Sequence, residues 1–225
     1  MIVDPSGMPL THEVAIGAEH LLLLPGTLQV PADPIGTVVF AHGSGSSRLS
    51  PRNRFVAERL GAERLATLLF DLLTEEEARD RAKVFDLELL SMRLLAAARW
   101  VDRYDALQTL PLAFFGASTG AGAALFAASV LKGRIAAVVS RGGRPDLALP
   151  VLQDVTAPTL LIVGGADEPV IRMNRRALAE LTAPKELAIV PGATHLFEEP
   201  GALEQVAELA ASWFVRYCGT GARGE

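Results

Sequence analysis

Two kinds of segment alternate along almost the whole of this chain. Short apolar runs rich in β-branched residues are separated by longer stretches in which apolar residues recur at helical spacing. The apolar runs are TVVFAH, ATLLFDL, LPLAFFGA, IAAVVS, PTLLIVGG and ELAIVPG. This alternation is typical of βαβ units, in which helices cover both faces of a parallel sheet. The sequence therefore predicts an α/β fold with a mostly parallel sheet.

Length and composition favour one domain. Half of the 225 residues are hydrophobic, which is enough to bury one substantial core. We predict a single domain over residues 1–218 and, from its composition, a flexible tail over residues 219–225. The segments EVAI and LLLL are too close together for a crossover helix, so we expect an antiparallel pair at the sheet edge. The single cysteine, Cys218, is predicted to be a packing residue.

Charge and the first residues bear on partners and location. The net charge is −5 with acidic and basic residues interspersed, so we expect no nucleic-acid partner. The segment MIVDPSGMPLTHE lacks the features of a secretory signal, which predicts a cytoplasmic protein.

Residues 110–131 carry no charge and match a bilayer span in length. Pro111 and three glycines break this stretch, so we predict a strand, a tight turn and a buried helix with no membrane contact.

Two sequence signals mark helix starts and assign no chemistry to the residues involved. Ser50 followed by Pro51 fits an N-cap and a first helical position. Thr74 with Glu77 fits a capping box that leads toward a long helix. The acidic run at residues 75–77 is then a solvated first turn favoured by the helix dipole, and we predict no metal site.

The break in the uncharged stretch has the sequence GASTG, with Ser118 at its centre. It falls between a predicted strand and a predicted helix. A serine on such a sharp turn projects its hydroxyl above the carboxyl edge of the sheet, and small flanking residues permit the turn. The pattern GxSxG also occurs by chance, but here its context is the one that a nucleophile elbow requires. We therefore predict that Ser118 is a catalytic nucleophile.

A serine hydroxyl needs a base within hydrogen-bond reach, usually an imidazole held in one tautomer by a carboxylate. His12 and His20 lie near the predicted sheet edge, and we interpret both as surface or edge residues. His195, in PGATHLF, follows the last predicted strand and lies at the carboxyl edge where Ser118 also emerges. We predict that His195 is the base.

The acid that orients this base should lie on another loop at the same edge. The strand PTLLIVGG leads directly into Asp167, which is our predicted acid. Glu168 on the same loop and Asp146 after the preceding strand are the alternatives. The order serine, aspartate, histidine is the one expected for this sheet topology.

The fourth histidine, His42, begins HGSGSS directly after the strand TVVFA. A glycine-rich turn there can point a backbone N–H at the oxygen of a tetrahedral intermediate. We predict that the amides of Ser44 and Thr119 form this oxyanion hole, and we retain His42 as a candidate substrate-binding residue. A phosphate-binding loop is the alternative, but HGSGSSR lacks the ending and the spacing of a Walker loop.

Four segments together, HGSGSSR, GASTG, GGADEPV and PGATHLF, resemble the α/β-hydrolase superfamily across nearly the whole chain. Within it, AHGSGSSRLSPRN, FDLLTEEE and the short distance from elbow to acid resemble the dienelactone-hydrolase-like branch. The resemblance implies a sheet of seven or eight strands, no cofactor, and hydrolysis of small esters or lactones through an acyl-enzyme. True dienelactone hydrolases have a cysteine at the elbow, where this chain has Ser118, so general carboxylesterase activity is the expectation.

Two other functions are alternatives to this expectation. Acyl transfer to an acceptor other than water uses the same triad, and a binding protein can retain the fold without catalysis. Similar hydrolase sequences also occur attached to phosphoribosyltransferase domains, but these residues supply no phosphoribosyl-binding signature.

The interval between the strands IAAVVS and PTLLIVGG is too short for a large cap domain. Only RGGRPDLALPVLQDVT and the loop after FDLLT remain to overhang Ser118. The sequence therefore predicts a shallow, open cleft that favours short acyl chains. Arg141 and Arg144 lie on the first of these segments and are either solvated or contacts for an anionic substrate.

Overall fold

The computed structural model describes residues 10–219 and contains one eight-stranded sheet. Its strands are β1 (Leu10–Gly17), β2 (Leu23–Val30), β3 (Gly36–Ala41), β4 (Leu65–Phe70), β5 (Leu112–Ala117), β6 (Ile135–Arg141), β7 (Thr159–Gly164) and β8 (Lys185–Val190). The strand order is β1-β2-β4-β3-β5-β6-β7-β8. β1 and β2 are antiparallel to their neighbours, and the other six strands run parallel. The predicted α/β fold with seven or eight strands is confirmed.

Six α-helices connect or follow these strands. They are α1 (Pro51–Ala62), α2 (Arg81–Val84), α3 (Leu87–Val101), α4 (Thr119–Leu131), α5 (Glu168–Glu180) and α6 (Ala202–Cys218). Short 3-10 turns occupy Glu19–Leu21, Glu77–Arg79, Lys132–Arg134 and Pro145–Asp154. Both predicted helix starts are present, because the Asn53 amide donates to Ser50 Oγ, and Thr74 and Glu77 exchange backbone-to-side-chain bonds of 3.0 and 3.1 Å. The capping box opens only a short turn, since α3 begins later with Asp86 as its N-cap.

The helices form a layer on each face of the sheet, as the strand sequences require. Alternate side chains of one strand point to opposite faces. Val39 of β3 and Phe114 of β5 therefore join a core with α3, α4 and α5, whereas Phe40 and Phe115 join a second core with α1 and α6. The carboxyl ends of the parallel strands are left at one edge, between the two layers.

The antiparallel pair at the sheet edge differs in part from the prediction. EVAI lies within β1 as expected, but β2 begins only at Leu23 and continues through Pro25 and Gly26 to Val30. A Pro-Gly pair is usually a turn signal. Here Gly26 allows a close approach, because a Cβ at this position would lie 3.1 Å from Val14 Cγ2 and 3.2 Å from Phe70 Cβ.

The uncharged stretch forms β5, the elbow and α4, as predicted. No helix within residues 10–219 is long and apolar enough to cross a membrane. Cys218 is buried at the end of α6, where burial raises the pKa of its thiol to about 12 and keeps it protonated. His12 lies on the edge strand β1. Of the predicted tail, residues 220–225 lie outside the described part of the chain.

Candidate active site

Ser118 joins β5 to α4 in a backbone conformation that few residues other than glycine adopt. Its φ is +50° and its ψ is −121°, a conformation that is strained for a residue with a Cβ. Its amide donates to the Arg141 carbonyl of β6 at 3.2 Å. Gly116 and Gly120 make the turn possible, since a Cβ at either position would overlap backbone atoms of Ala121 or Ala41. Residues 116–120 therefore form a tight strand-to-helix elbow at the carboxyl edge.

His195 and Asp167 are joined by a hydrogen bond of 2.7 Å from Nδ1 to Oδ2. Asp167 follows β7 and has little exposed surface, whereas the His195 side chain is 40% exposed. A carboxylate only accepts, so Nδ1 carries the proton and Nε2 keeps its lone pair. This is the tautomer that a general base needs.

The two alternative acids have other partners. Asp146 accepts two hydrogen bonds of 2.8 Å from the guanidinium of Arg144. Glu168 lies in the first turn of α5 and pairs with Arg172 at 3.5 Å on the surface. Of the three carboxylates considered, Asp167 is the one in contact with His195.

A turn after β6 brings the elbow and the histidine loop together. Gly142 has a φ of +51°, and a Cβ there would lie 3.1 Å from the His195 carbonyl oxygen and 3.6 Å from its Cε1. The carbonyl of the preceding residue, Arg141, accepts a hydrogen bond from the Ser118 amide. Residues 141–142 are therefore in contact with Ser118 on one side and with His195 on the other.

The residue that anchors this turn carries no signal in the sequence. Asn174 of α5 is fully buried, and its Nδ2 donates to the carbonyls of Gly143 at 3.0 Å and Val170 at 2.8 Å. Nothing distinguishes this asparagine from other polar helix residues in the sequence. Its position becomes informative only once α5 is packed against the turn.

The predicted oxyanion donors, Ser44 and Thr119, both line a cavity that adjoins the elbow. Thr119 is the first residue of α4, where a backbone N–H has no acceptor within the helix. Ser44 follows Gly43, and a Cβ at Gly43 would lie 2.9 Å from Ser118 Cβ. Gly45, at a φ of +68°, turns the loop after this contact. Ser44 in the loop after β3 and Thr119 in the elbow thus belong to two different segments that meet near Ser118.

The His42 side chain holds the loop after β3 in place through two hydrogen bonds. The Leu72 amide donates to its Nε2 at 2.9 Å, so Nδ1 carries the proton and donates to the Gly43 carbonyl at 3.0 Å. Burial lowers the pKa of His42, although the Gly43 bond and the charge of Asp71 oppose this effect. Both ring nitrogens are engaged within the protein, which leaves the carbon edge of the ring for the predicted substrate contact.

A cavity of about 460 Å³ opens beside the elbow. Much of its wall is formed by residues 71–86, here called the wall segment, which lies between β4 and α3. Apolar lining residues include Leu23, Pro25, Leu49, Leu73, Val84 and Leu90. This volume is within the range of sites that enclose small molecules. The wall segment includes the loop after FDLLT, which the sequence predicts to overhang the site. The cavity is partly open to solvent, and the preference for short acyl chains stays a prediction.

The segment after β6 lies against the elbow and not against the cavity, since the Arg144 amide donates to the Ser118 carbonyl at 3.0 Å. Its 3-10 turn, Pro145–Asp154, packs against α4 and α5 and supplies none of the cavity's lining residues. Arg144 is half-buried and paired with Asp146, whose hydrogen bonds raise the pKa of the guanidinium. Arg141 is not solvated either, since it lies buried beneath α1 with 9% of its surface exposed.

Comparison with solved structures gives a relative of high identity. The dienelactone hydrolase from Anabaena variabilis is 53% identical, with a TM-score of 0.91 over 93% of this chain and 99% of that one. Est1E from Butyrivibrio proteoclasticus is 16% identical, with a TM-score of 0.79 over 92% and 99% of the two chains. An α/β serine hydrolase homologue from Coxiella burnetii is 20% identical, with a TM-score of 0.75 over 89% and 96%. The last two share the fold.

Comparison with curated proteins gives relatives that are longer than this chain. Two proteins of Mycobacterium tuberculosis, each named "Putative phosphoribosyl transferase", are 59% identical over 200 residues. The match covers 88% of this chain but 45% of each relative, so the chain spans less than half of their length. No family model matches the chain.

Proposed function

Because this chain belongs to the dienelactone-hydrolase-like branch of the α/β-hydrolase superfamily, we propose that it is a serine hydrolase of small carboxylic esters or lactones. The observation that carries the proposal is the 2.7 Å bond between His195 and Asp167 at the edge where the elbow presents Ser118. A base that is oriented by a carboxylate, at the same sheet edge as a strained serine, is the arrangement required for acyl transfer to a hydroxyl.

In the proposed reaction, His195 Nε2 accepts the Ser118 hydroxyl proton as Oγ attacks the ester carbonyl. Asp167 stabilises the imidazolium that forms. The amides of Ser44 and Thr119 hold the oxyanion, and the loss of one such donor typically costs about 2.7–4 kcal/mol of transition-state stabilisation.

Collapse of the tetrahedral intermediate breaks the bond to the alcohol oxygen, which takes its proton from His195. The alcohol leaves an acyl group on Ser118. Water then attacks this acyl-enzyme with His195 again as base, and the acid is released while Ser118 regains its proton. The exposed side of the His195 ring gives water a route to the acyl-enzyme.

Labelling with a fluorophosphonate tests the nucleophile directly. The wild-type protein should be labelled and should hydrolyse nitrophenyl esters, whereas Ser118→Ala should lose both properties and remain folded. Ser44→Ala is the matched control, since the proposal uses its amide and not its hydroxyl, and it should still be labelled. Labelling that persists in Ser118→Ala would place the nucleophile elsewhere.

The alternatives give different results in the same preparation. A binding protein that retains only the fold would not be labelled. Acyl transfer shares the acyl-enzyme, so product analysis with added alcohols or amines separates it from hydrolysis. The activity in the name of the Mycobacterium tuberculosis relatives refers to proteins of more than twice the matched length, and we assign it to no residue of this chain.

A further inference from the structure

Arg141 is a buried cation whose hydrogen-bonding capacity is largely unused. It ends β6 on the face covered by α1 and is 9% exposed. Its Nη2 donates to Asn53 Oδ1 at 3.3 Å. Its Nε and Nη1 are buried and have no hydrogen-bond partner among residues 10–219. A guanidinium has five N–H donors and no acceptor. Nε and Nη1 of Arg141 can therefore be satisfied only by an acceptor such as an oxygen atom.

No carboxylate of the described residues contacts this guanidinium. Its charged neighbour is Arg52 of α1, and burial together with that positive charge lowers the pKa of Arg141 to about 10. Arg141 is therefore still charged at neutral pH. The nearby acid Glu198 pairs with Arg52 at 3.2 Å, and Glu199 accepts the Thr194 hydroxyl at 2.7 Å.

The other deeply buried arginine shows how this protein normally accommodates such a charge. Arg93 is 3% exposed and contacts two carboxylates, Glu19 at 2.8 Å and Glu77 at 3.1 Å. A buried charge without a partner is strongly unfavourable, so pairing of this kind is the rule. Arg141 departs from the rule, which points to an anion from outside residues 10–219.

The surroundings of Arg141 on α1 carry further positive charge. Asn53 lies in the first turn of α1, a helix of 12 residues whose N-terminus carries partial positive charge. Arg52 lies in the same turn, and its own Nε is buried without a partner. Arg141 therefore lies against the first turn of α1, within reach of the positive charge of Arg52.

We propose that Arg141, Arg52 and the first turn of α1 bind a small oxyanion, such as inorganic phosphate or a carboxylate. The site is distinct from the cavity, whose lining does not include Arg141. The site adjoins the elbow, because the Arg141 carbonyl accepts a hydrogen bond from the Ser118 amide. The next residue, Gly142, packs against His195. The oxyanion is either free in solution or the anionic group of an ester.

Phosphate binding to the full chain tests the site without relying on enzymatic activity. Calorimetric titration and melting curves are recorded at constant ionic strength, with sodium chloride replacing phosphate in the reference. The wild-type protein should bind one phosphate and melt at a higher temperature in its presence. Arg141→Met should weaken binding about tenfold or more, as expected for the loss of charged hydrogen bonds.

Arg144→Met is the matched control, since Arg144 follows the same strand but already has Asp146 as its partner. It should bind phosphate as the wild-type protein does. Equal stabilisation of wild type and Arg141→Met by phosphate, or no binding to the wild type, overturns the proposal.

Arg52→Gln keeps the proposal testable if Arg141→Met does not fold, because Arg52 lies at the surface beside Glu198. The proposal expects this variant to bind phosphate more weakly. If Arg52 only repels Arg141, the variant should melt at a higher temperature with unchanged phosphate affinity, and that result overturns the proposal.

Two esters then distinguish the source of the oxyanion. Nitrophenyl hemisuccinate carries a carboxylate, and its methyl ester is the neutral analogue. Phosphate that competes with the hemisuccinate alone supports a site for an anionic substrate group. Phosphate that binds without inhibiting either ester supports a site for a free oxyanion. If neither ester is hydrolysed, the proposed function fails while the binding result stands.

Discussion

The proposed catalytic side chains and the wall of the adjacent cavity are held in place by different means. Ser118, Asp167 and His195 each follow a parallel strand, so the hydrogen bonds of the sheet fix their relative positions. The wall segment, residues 71–86, contains only short helical turns and is held by side-chain contacts. Chief among these are the Thr74 and Glu77 capping box and the ion pair from Glu77 to Arg93.

This difference indicates that chemistry and substrate preference are separable in this protein. A change in the triad should abolish turnover and leave the cavity intact. A change in the wall should alter which esters are hydrolysed and leave the triad intact. Three experiments test whether the two regions are independent in this way.

The largest effect is expected for Asp167→Asn. The side chain makes no capping bond to α5, so the fold should be retained. An amide at this position favours the wrong His195 tautomer, and kcat should fall by about 10⁴. Steady-state kinetics measures the loss, with Glu168→Gln as a control that should change activity little. A larger loss in the control would transfer the role of acid to Glu168.

A smaller effect is expected at the cavity wall. If one group of the ester enters the cavity, kcat/KM should rise about fourfold for each added methylene over the first few carbons. Val84→Trp fills part of the cavity and should remove this rise, so that longer esters lose far more than the acetate. The neighbouring Phe85 is exposed and outside the lining, which makes Phe85→Trp the matched control.

Nitrophenyl esters of increasing acyl length, and acetates of increasing alcohol length, provide the measurement. If neither series responds to length in the wild-type protein, the cavity is not the substrate pocket and the proposed division of roles is wrong.

The smallest effect is expected at low pH, where the Glu77 carboxylate that holds the wall segment becomes protonated. Burial acts to raise the pKa of Glu77, but the Thr74 amide and Arg93 outweigh it and hold the pKa below the usual 4.5. A lowered pKa in the folded state means that Glu77 stabilises the fold above pH 4.5. This contribution is lost as the pH falls from 4.5 through the folded pKa.

Glu77→Gln removes the carboxylate at every pH and should lower the free energy of unfolding at neutral pH by about 1–3 kcal/mol. Its stability should then fall less than that of the wild type below pH 4.5. Urea unfolding over a pH series measures both effects, with the exposed Glu76→Gln as control. Equal acid sensitivity of wild type and Glu77→Gln would show that this contact does not hold the wall.

Much of the fold, and the pairing of Asp167 with His195, followed from local patterns. Hydrophobic periodicity marks each strand and helix because side-chain direction repeats with a period of 2.0 or 3.6. Parallel strands then bring their carboxyl ends to one edge, which is why the bond between Asp167 and His195 could be predicted across 28 residues. Where a local signal misled, at Pro25 and Gly26, tight packing against Val14 and Phe70 outweighed the turn preference.

Other features depend on which distant side chains meet, and no local pattern encodes that. Arg93 pairs with Glu19, and Asn174 donates a hydrogen bond to the Gly143 carbonyl. Among residues 10–219, the Arg141 side chain has a hydrogen bond only to Asn53, which lies 88 residues away along the chain. The cavity likewise exists because the wall segment folds over the loop after β3. The sequence determined the sheet, the elbow and the order of the triad through periodicity and topology. Tertiary structure alone decided the shape of the cavity and the buried cation without a counter-ion among residues 10–219, since both arise from packing between segments far apart in the chain.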